Sequence, residues 1–240
     1  MRSRQLNLEQ YDSDKIKGGY LERYDELFDP LIDKKVVLLE LGVLKGGSLL
    51  LWKDYFQQGT IVGVDLRPPK DFLPTERIHI YKGSQADKQF LSQVARETAP
   101  NGFDIIIDDA SHIGHLTKVA FWHLFDNHLK PGGIYAIEDW GTGYWDDWPD
   151  GKTLDLNENN GEDNIKLFGM DITNITKRFG IKKPWHCHSY GMVGLVKQLI
   201  DEQAAKDVTR GRLSGNAKRA SKFESILVVP SIVFVRKSKK

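Results

Sequence analysis

Two groups of side chains in this 240-residue sequence combine chemistry-capable types at close spacing: Asp108-Asp109-Ala110-Ser111-His112 and Glu138-Asp139. Each follows a short apolar run, Ile105–Ile107 and Ile134–Ile137. Such runs fit strands buried on both faces of a sheet. Ligands of open parallel sheets bind just past the carboxyl ends of the strands, so Asp109, Glu138 and Asp139 would converge from neighbouring strand ends. Converging carboxylates repel one another unless they share a cation. Hard oxygen donors with no thiolate select Mg2+, Mn2+ or Ca2+ over zinc or copper. His112 would reach the same space, and an imidazole can take a proton near neutral pH. The competing readings are structural: Asp109 or Ser111 caps a helix, the acids are solvated loop residues, and His112 begins a helix with no chemical role.

The elements that must position these residues alternate along the chain. Residues 1–17 are polar and read as an arm with a short helix, outside the core. Together with a helix over Tyr20–Ile32, stopped near Pro30, they make an N-terminal segment 1–34. Strands are expected at Lys35–Leu41, Thr60–Leu66, Arg77–Lys82, the run ending at Asp108, and Ile134–Ile137. Between them lie helices at Leu49–Phe56, Asp87–Thr98 and Leu116–Leu129, the last ended by Lys130-Pro131-Gly132-Gly133. This alternation argues a doubly wound α/β sheet. The pattern then breaks over residues 140–188, a stretch too long for an ordinary connection and read as a lid or substrate-binding insertion. A helix returns at Tyr190–Ala204, a basic loop spans 206–222, and Ser225–Val229 and Ile232–Arg236 form an antiparallel pair at the sheet edge, followed by a frayed tail.

The composition sets limits on function. A net charge of +1 gives no global case for nucleic acid or anionic membrane. A single cysteine, Cys187, excludes a disulfide framework and a cysteine-rich zinc site. The run Trp185-His186-Cys187-His188 lacks a fourth ligand at zinc spacing. No stretch approaches the ~20 apolar residues of a membrane span, and the N-terminus lacks a signal-peptide core. A single domain over 1–240 and a cytoplasmic location are expected.

The turn between the first strand and its helix, Glu40-Leu-Gly42-Val-Leu-Lys-Gly46-Gly47-Ser48, is where a nucleotide cofactor lies in such sheets. Its spacing fits neither G-x-G-x-x-G nor the P-loop. A phosphate cradle and a nicotinamide oxidoreductase are therefore disfavoured. Asp65, closing the second strand, is placed either to bind ribose hydroxyls or to serve only as a turn residue.

Glu40-x-Gly42-x-x-x-Gly46 with Asp65 resembles the class I S-adenosylmethionine-dependent methyltransferases. The resemblance implies a Rossmann-like seven-stranded sheet with helices on both faces, its last-strand reversal falling in Ser225–Arg236 and its lid after the fifth strand. It implies that Glu40, Gly42, Gly46 and Ser48 contact the methionine end and that Asp65 holds the ribose. Ser84 and Gln85 would border the adenine, and Asp108 would lie close to the cofactor. Asp-Asp-Ala-Ser-His, then Pro-Gly-Gly, then Ile-Glu-Asp, is similar to a metal-dependent subgroup, the mycinamicin-type macrolide and rhamnosyl sugar O-methyltransferases and the cephalosporin hydroxylase-like proteins. That implies Asp109, Glu138 and Asp139 as Mg2+ or Mn2+ ligands and His112 as base. Ser13-Asp14-Lys15 with Tyr20 and Tyr24 resembles the subgroup's lead-in, with Gly19 where a histidine often stands; no role is assigned to this arm.

The expected function is Mg2+-dependent O-methylation of a sugar hydroxyl on a glycoside, glycolipid or natural product. Tyr144, Trp145 and Trp148 in the insertion are candidates to stack on the acceptor, or else to form a local mini-core. A catechol-like or other vicinal diol would use the same metal logic. A non-catalytic cofactor-binding partner protein is the reading from a different class. A homo-oligomer is compatible with all of these.

Overall fold

Ile105 and Ile107 pack into one hydrophobic core while Ile106 packs into another, which is the alternation expected of a strand buried on both faces. This strand, β4 (Phe103–Asp108), lies at the middle of a seven-stranded sheet. In the computed structural model, β1 (Val37–Leu41), β2 (Thr60–Asp65), β3 (Ile78–Lys82), β4 and β5 (Leu129–Glu138) are parallel. β6 (Phe223–Val229) and β7 (Ile232–Lys237) complete the order β3-β2-β1-β4-β5-β7-β6, with β7 antiparallel to both of its neighbours. The structure describes residues 2–72, 75–145, 147–153, 166–167, 170–171, 189–211 and 215–240. Trp185 to His188 therefore lie outside the described residues, as does most of the expected lid. Among the described residues, no helix is long and apolar enough to cross a membrane.

Helices cover both faces. On one, α2 (Leu21–Phe28) and α3 (Gly47–Tyr55) bring Tyr24, Phe28, Trp52, Tyr55 and Phe56 into an aromatic cluster fully shielded from solvent. Its edge-to-face pairs include Tyr24 with Trp52 at 5.1 Å and Phe28 with Trp52 at 5.8 Å. On the other face, α4 (Lys88–Thr98), α5 (Gly114–Asn127) and α6 (Gly191–Gln203) bury Leu91, Val94, Phe121, Leu124, Phe125, Leu195 and Leu199.

Several boundaries differ from the sequence expectation for identifiable reasons. The fifth strand begins at Leu129, not Ile134, because Leu129 pairs with Phe103 across a register shift. Pro131 and Gly132 are thus inside the strand, near its exposed start, where a missing N–H is tolerated. The tail is ordered through Lys237, whose Nζ donates to the Leu129 carbonyl at 2.8 Å. The basic stretch opens with a short helix, α7 (Ala205–Val208), and Arg219 forms a two-point pair with Glu202 at 2.6 and 2.5 Å.

The largest correction concerns the N-terminal arm. It is not outside the core: Ser3, Tyr11 and Lys15 are buried, with Lys15 at 0% exposure. Ser3 bonds Asp25, Tyr11 packs in the aromatic-side core, and α1 (Asp14–Lys17) carries Lys15 beneath the sheet's carboxyl edge. A Cβ at Gly47 would lie 2.0 Å from the Asp12 carbonyl oxygen, so the arm is in close contact with the start of α3.

Candidate active site

The parallel register aligns the strand ends. Asp108 sits opposite Leu41 of β1 and Ile137 of β5. The β1–α3 turn, the Asp109–Ile113 loop and the Glu138-Asp139 turn therefore meet at one edge. Gly42, with φ of 90°, passes so close to the second loop that a Cβ there would be 2.1 Å from the Asp109 carbonyl oxygen. Only glycine fits both that conformation and that contact.

Among the described residues, one ligand atom each from Asp109, His112 and Asp139 lie within 4.8 Å of one another. His112 Nε2 is 3.7 Å from Asp109 Oδ1 and 3.9 Å from Asp139 Oδ2. Both distances exceed a hydrogen bond and leave space between the three groups. His112 and Asp139 each have φ of 50°, in the left-handed region that is uncommon for residues with a side chain. Such strain, of order 1–3 kcal/mol per residue, persists only where surrounding structure enforces it. Here Thr142 Oγ1 and Trp148 Nε1 both donate to the His112 carbonyl, at 3.3 and 3.2 Å, and the Trp148 ring lies 5.7 Å from the imidazole. Tyr20 donates its hydroxyl to Asp139 Oδ1.

Of the three acids expected to converge, the structure brings Asp109 and Asp139 together with His112. Glu138 is buried and bonded elsewhere: Tyr24 donates to Oε1 and Lys15 Nζ donates to Oε2 at 2.9 Å. The same ammonium donates to Asp109 Oδ2 at 2.6 Å and lies 3.2 Å from Glu40 Oε1. Burial alone would lower the lysine's pKa, but Glu138, Asp109 and Glu40 outweigh it and hold it well above the ordinary lysine value. Burial pushes the Glu40 and Glu138 carboxyls up, opposed by the ammonium. Lys15, Tyr20 and Tyr24 all come from the lead-in motif, to which the sequence alone assigns no role and which is the signal of their place at the site.

The cofactor-side candidates are placed as follows. Glu40 is fully buried at the end of β1 and accepts from Ser48 Oγ at 2.8 Å. Gly46, with φ of 85°, precedes α3 beside the Phe72 ring. Asp65 Oδ2 accepts from the amides of Val43 and Leu44 at 2.8 and 3.2 Å, and Oδ1 from Arg67 at 2.7 Å. A carboxylate has about four lone-pair sites, so Asp65 both shapes the glycine turn and keeps capacity for a further donor. Ser84 Oγ accepts the Ala86 amide at 3.1 Å. Gln85 bridges strand ends, donating to Asp108 Oδ1 at 3.2 Å and accepting from the Ser111 amide at 3.1 Å. Asp108 also accepts from the Tyr135 hydroxyl at 3.0 Å. Burial raises its pKa to about 7 despite the bonds from Tyr135, the Ala110 amide and Gln85. Tyr144 and Trp145 are exposed, while Trp148 lies against His112.

Ser111 Oγ accepts the Ile113 amide at 3.2 Å, but the first amide of α5 is capped from a distance. Asp150 Oδ2 accepts from Gly114 at 2.9 Å and from Met192 at 2.8 Å, joining the starts of α5 and α6. Asp150→Ala removes both acceptor contacts and is expected to cost about 1–3 kcal/mol. Hydrogen exchange at the Gly114 and Met192 amides should accelerate relative to the rest of the sheet; unchanged protection there would show that the cap is dispensable.

The order β3-β2-β1-β4-β5-β7-β6, with a glycine turn after β1, an acid ending β2 and β7 reversed, is that of the Rossmann-like class I methyltransferase fold. The curated proteins that the chain resembles in sequence include macrolide and rhamnosyl sugar O-methyltransferases. The chain is 40% identical over 140 residues to mycinamicin VI 2''-O-methyltransferase of Micromonospora griseorubida, a match covering 54% of this chain and 34% of that protein. It is 44% identical over 128 residues to a rhamnosyl-tetracenomycin 3'-O-methyltransferase of Streptomyces olivaceus, covering 50% of this chain and 32% of the relative. The structure superposes on the MycE methyltransferase of mycinamycin biosynthesis, solved in complex with Mg and SAH. That match has a TM-score of 0.64 and 30% identity, covering 90% of this chain and 48% of that one. The matched stretch spans about a third of the length of these curated relatives. No protein-family model matches the chain.

Proposed function

We propose that this protein is a divalent-metal-dependent O-methyltransferase that uses S-adenosylmethionine and acts on a sugar hydroxyl of a glycoside or other natural product. The observation that carries this reading is the Asp109, His112 and Asp139 cluster beside the glycine turn of this fold. Relatives solved with Mg and SAH, and curated relatives named as sugar O-methyltransferases, support it.

The two carboxylates fit a hard cation, Asp109 and Asp139 facing a common space with Glu138 adjacent in sequence, and the His112 imidazole stands beside them as the group left to take a proton. Asp109 and Asp139 would hold the ion, with Glu138 as the third acid if its carboxylate turns from Lys15. When bound, a divalent ion supplies Lewis acidity that favours ionisation of an acceptor hydroxyl. S-adenosylmethionine supplies an electrophilic methyl on a sulfonium.

His112 then takes the hydroxyl proton on Nε2, a nitrogen without a short hydrogen bond to either neighbouring acid. The hydroxyl oxygen forms the new bond to the methyl carbon as the carbon–sulfur bond breaks. The electron pair stays on sulfur and S-adenosylhomocysteine leaves. Thr142 and Trp148 keep His112 aimed, and Gly42 lets the cofactor turn lie against the Asp109 loop. Glu40, Gly46, Ser48 and Asp65 shape the cofactor side, while Ser84, Gln85 and Asp108 form its far wall. Tyr144, Trp145 and Trp148 lie on the acceptor side, where aromatic faces can stack on a sugar ring.

Calorimetry with S-adenosylhomocysteine and with NADH separates this reading from other uses of a Rossmann-like sheet. Binding of S-adenosylhomocysteine is expected; binding of NADH alone would refute it.

A further inference from the structure

Lys15 is a buried charged group at the strand edge that the proposed chemistry leaves unused. It is wholly buried, it comes from the N-terminal segment, and its ammonium meets carboxylates from three different places: Glu40 at the end of β1, Asp109 after β4 and Glu138 at the end of β5. A lysine pays heavily for leaving water and is seldom fully buried without partners. Here it is fixed on both sides of its own chain, because α1 holds it and its carbonyl accepts the Tyr20 amide at 3.0 Å. Asp109 is split between two environments. Oδ2 is taken by Lys15, while Oδ1 faces His112 and the space shared with Asp139.

We propose that Lys15 is a resident cation of the site, sharing Asp109 and Glu138 with the divalent ion and limiting where and how tightly that ion binds. The inference rests on the metal-dependent reading above. With Lys15 in place, Glu40, Asp109 and Glu138 carry one positive partner, and Asp109 presents its Oδ1 toward Asp139 and His112. Without it, the same carboxylates form an uncompensated anionic nest that draws a metal ion inward, away from the acceptor side. Lys15 is thus a positioning residue: it acts through Asp109 and Glu138. Its predicted signature is opposite to that of simple damage, since its removal tightens metal binding while slowing transfer.

The test is Mn2+ binding followed by electron paramagnetic resonance, which needs no turnover. Lys15→Met is expected to bind Mn2+ at least tenfold more tightly than the natural chain, or to take up a second Mn2+, while methyl transfer falls at least tenfold. Glu40→Gln in the Lys15→Met background restores the charge balance of the cluster, so its Mn2+ affinity should return toward that of the natural chain. Glu40→Gln alone should bind Mn2+ more weakly. If Lys15→Met fails to fold, the charge-balanced double variant and Glu40→Gln still give the ordering. Mn2+ affinities that do not follow the net charge of the cluster overturn the inference, as does Mn2+ binding weakened by Lys15→Met. Failure of the methyltransferase reading itself shows separately, as absence of S-adenosylhomocysteine binding by the natural chain.

Discussion

Replacing His112 with alanine is expected to lower methyl transfer by ~10²–10⁴-fold while leaving S-adenosylhomocysteine affinity unchanged. The imidazole can accept a proton without being committed to a neighbouring acid, since its Nε2 stands 3.7 and 3.9 Å from the Asp109 and Asp139 carboxylate oxygens. The cofactor-side residues are bonded to one another and not to His112: Ser48 to Glu40, and Asp65 to the turn amides. Losing the ring therefore removes proton acceptance without disturbing that side. The backbone at His112 is held through its carbonyl by Thr142 and Trp148, so the loop keeps its anchor in the variant. Alanine is also costly at φ of 50°, and a stability measurement must accompany the rate. A rate close to that of the natural protein would remove His112 from the chemistry and leave it as a shaping residue of the loop.

Asp109→Asn is expected to have the broadest effect. Asp109 faces Lys15 with one oxygen and the His112–Asp139 space with the other. The amide keeps the shape but removes the charge, so the proposed metal position loses an anionic donor while the buried ammonium loses one of its three partners. Divalent-metal affinity should fall by more than the ~10–100-fold seen when outer-shell partners of metal ligands are lost, and transfer should fall with it. The fold should survive, because Lys15 retains Glu138 and Glu40. Mn2+ binding and methyl transfer measured on the same preparation check both parts. Normal Mn2+ affinity in this variant would exclude Asp109 as a ligand.

Much of the site was legible because it lies at strand ends. The continuous apolar runs Ile105–Ile107 and Ile134–Ile137 mark two buried neighbouring strands, so the sequence groups Asp109, Glu138 and Asp139 with His112 beside them; the structure brings Asp109, His112 and Asp139 together and bonds Glu138 to Tyr24 and Lys15. The glycine turn was equally readable, since Gly42 answers a backbone requirement that no other residue meets. What escaped was long-range and side-chain specific. Lys15 reaches Asp109 across 94 residues of sequence, from a polar segment whose composition reads as solvated. A lysine on such a segment gives no sign that it is buried until the carboxylates that compensate it are in place. The orientation of Glu138 escaped for the same reason, because its partners Tyr24 and Lys15 come from the N-terminal segment. Local sequence offers Asp109 or Ser111 as the alternative cap of α5, whereas Asp150 supplies the acceptor for the Gly114 amide from 36 residues away. Local sequence rules name the types of residue that can cap; they do not say that a distant loop will do it.

The central claim is that this strand edge transfers a methyl group with the help of a divalent ion. Transfer of labelled methyl from S-adenosylmethionine to a panel of glycosides, before and after exhaustive chelation, tests it most directly. The expected result is label on a glycoside acceptor, abolished by chelation and restored by Mg2+. Transfer that persists at full rate in the chelated protein would contradict the metal role of Asp109, Glu138 and Asp139, and a protein that neither binds S-adenosylhomocysteine nor labels any acceptor would contradict the claim as a whole.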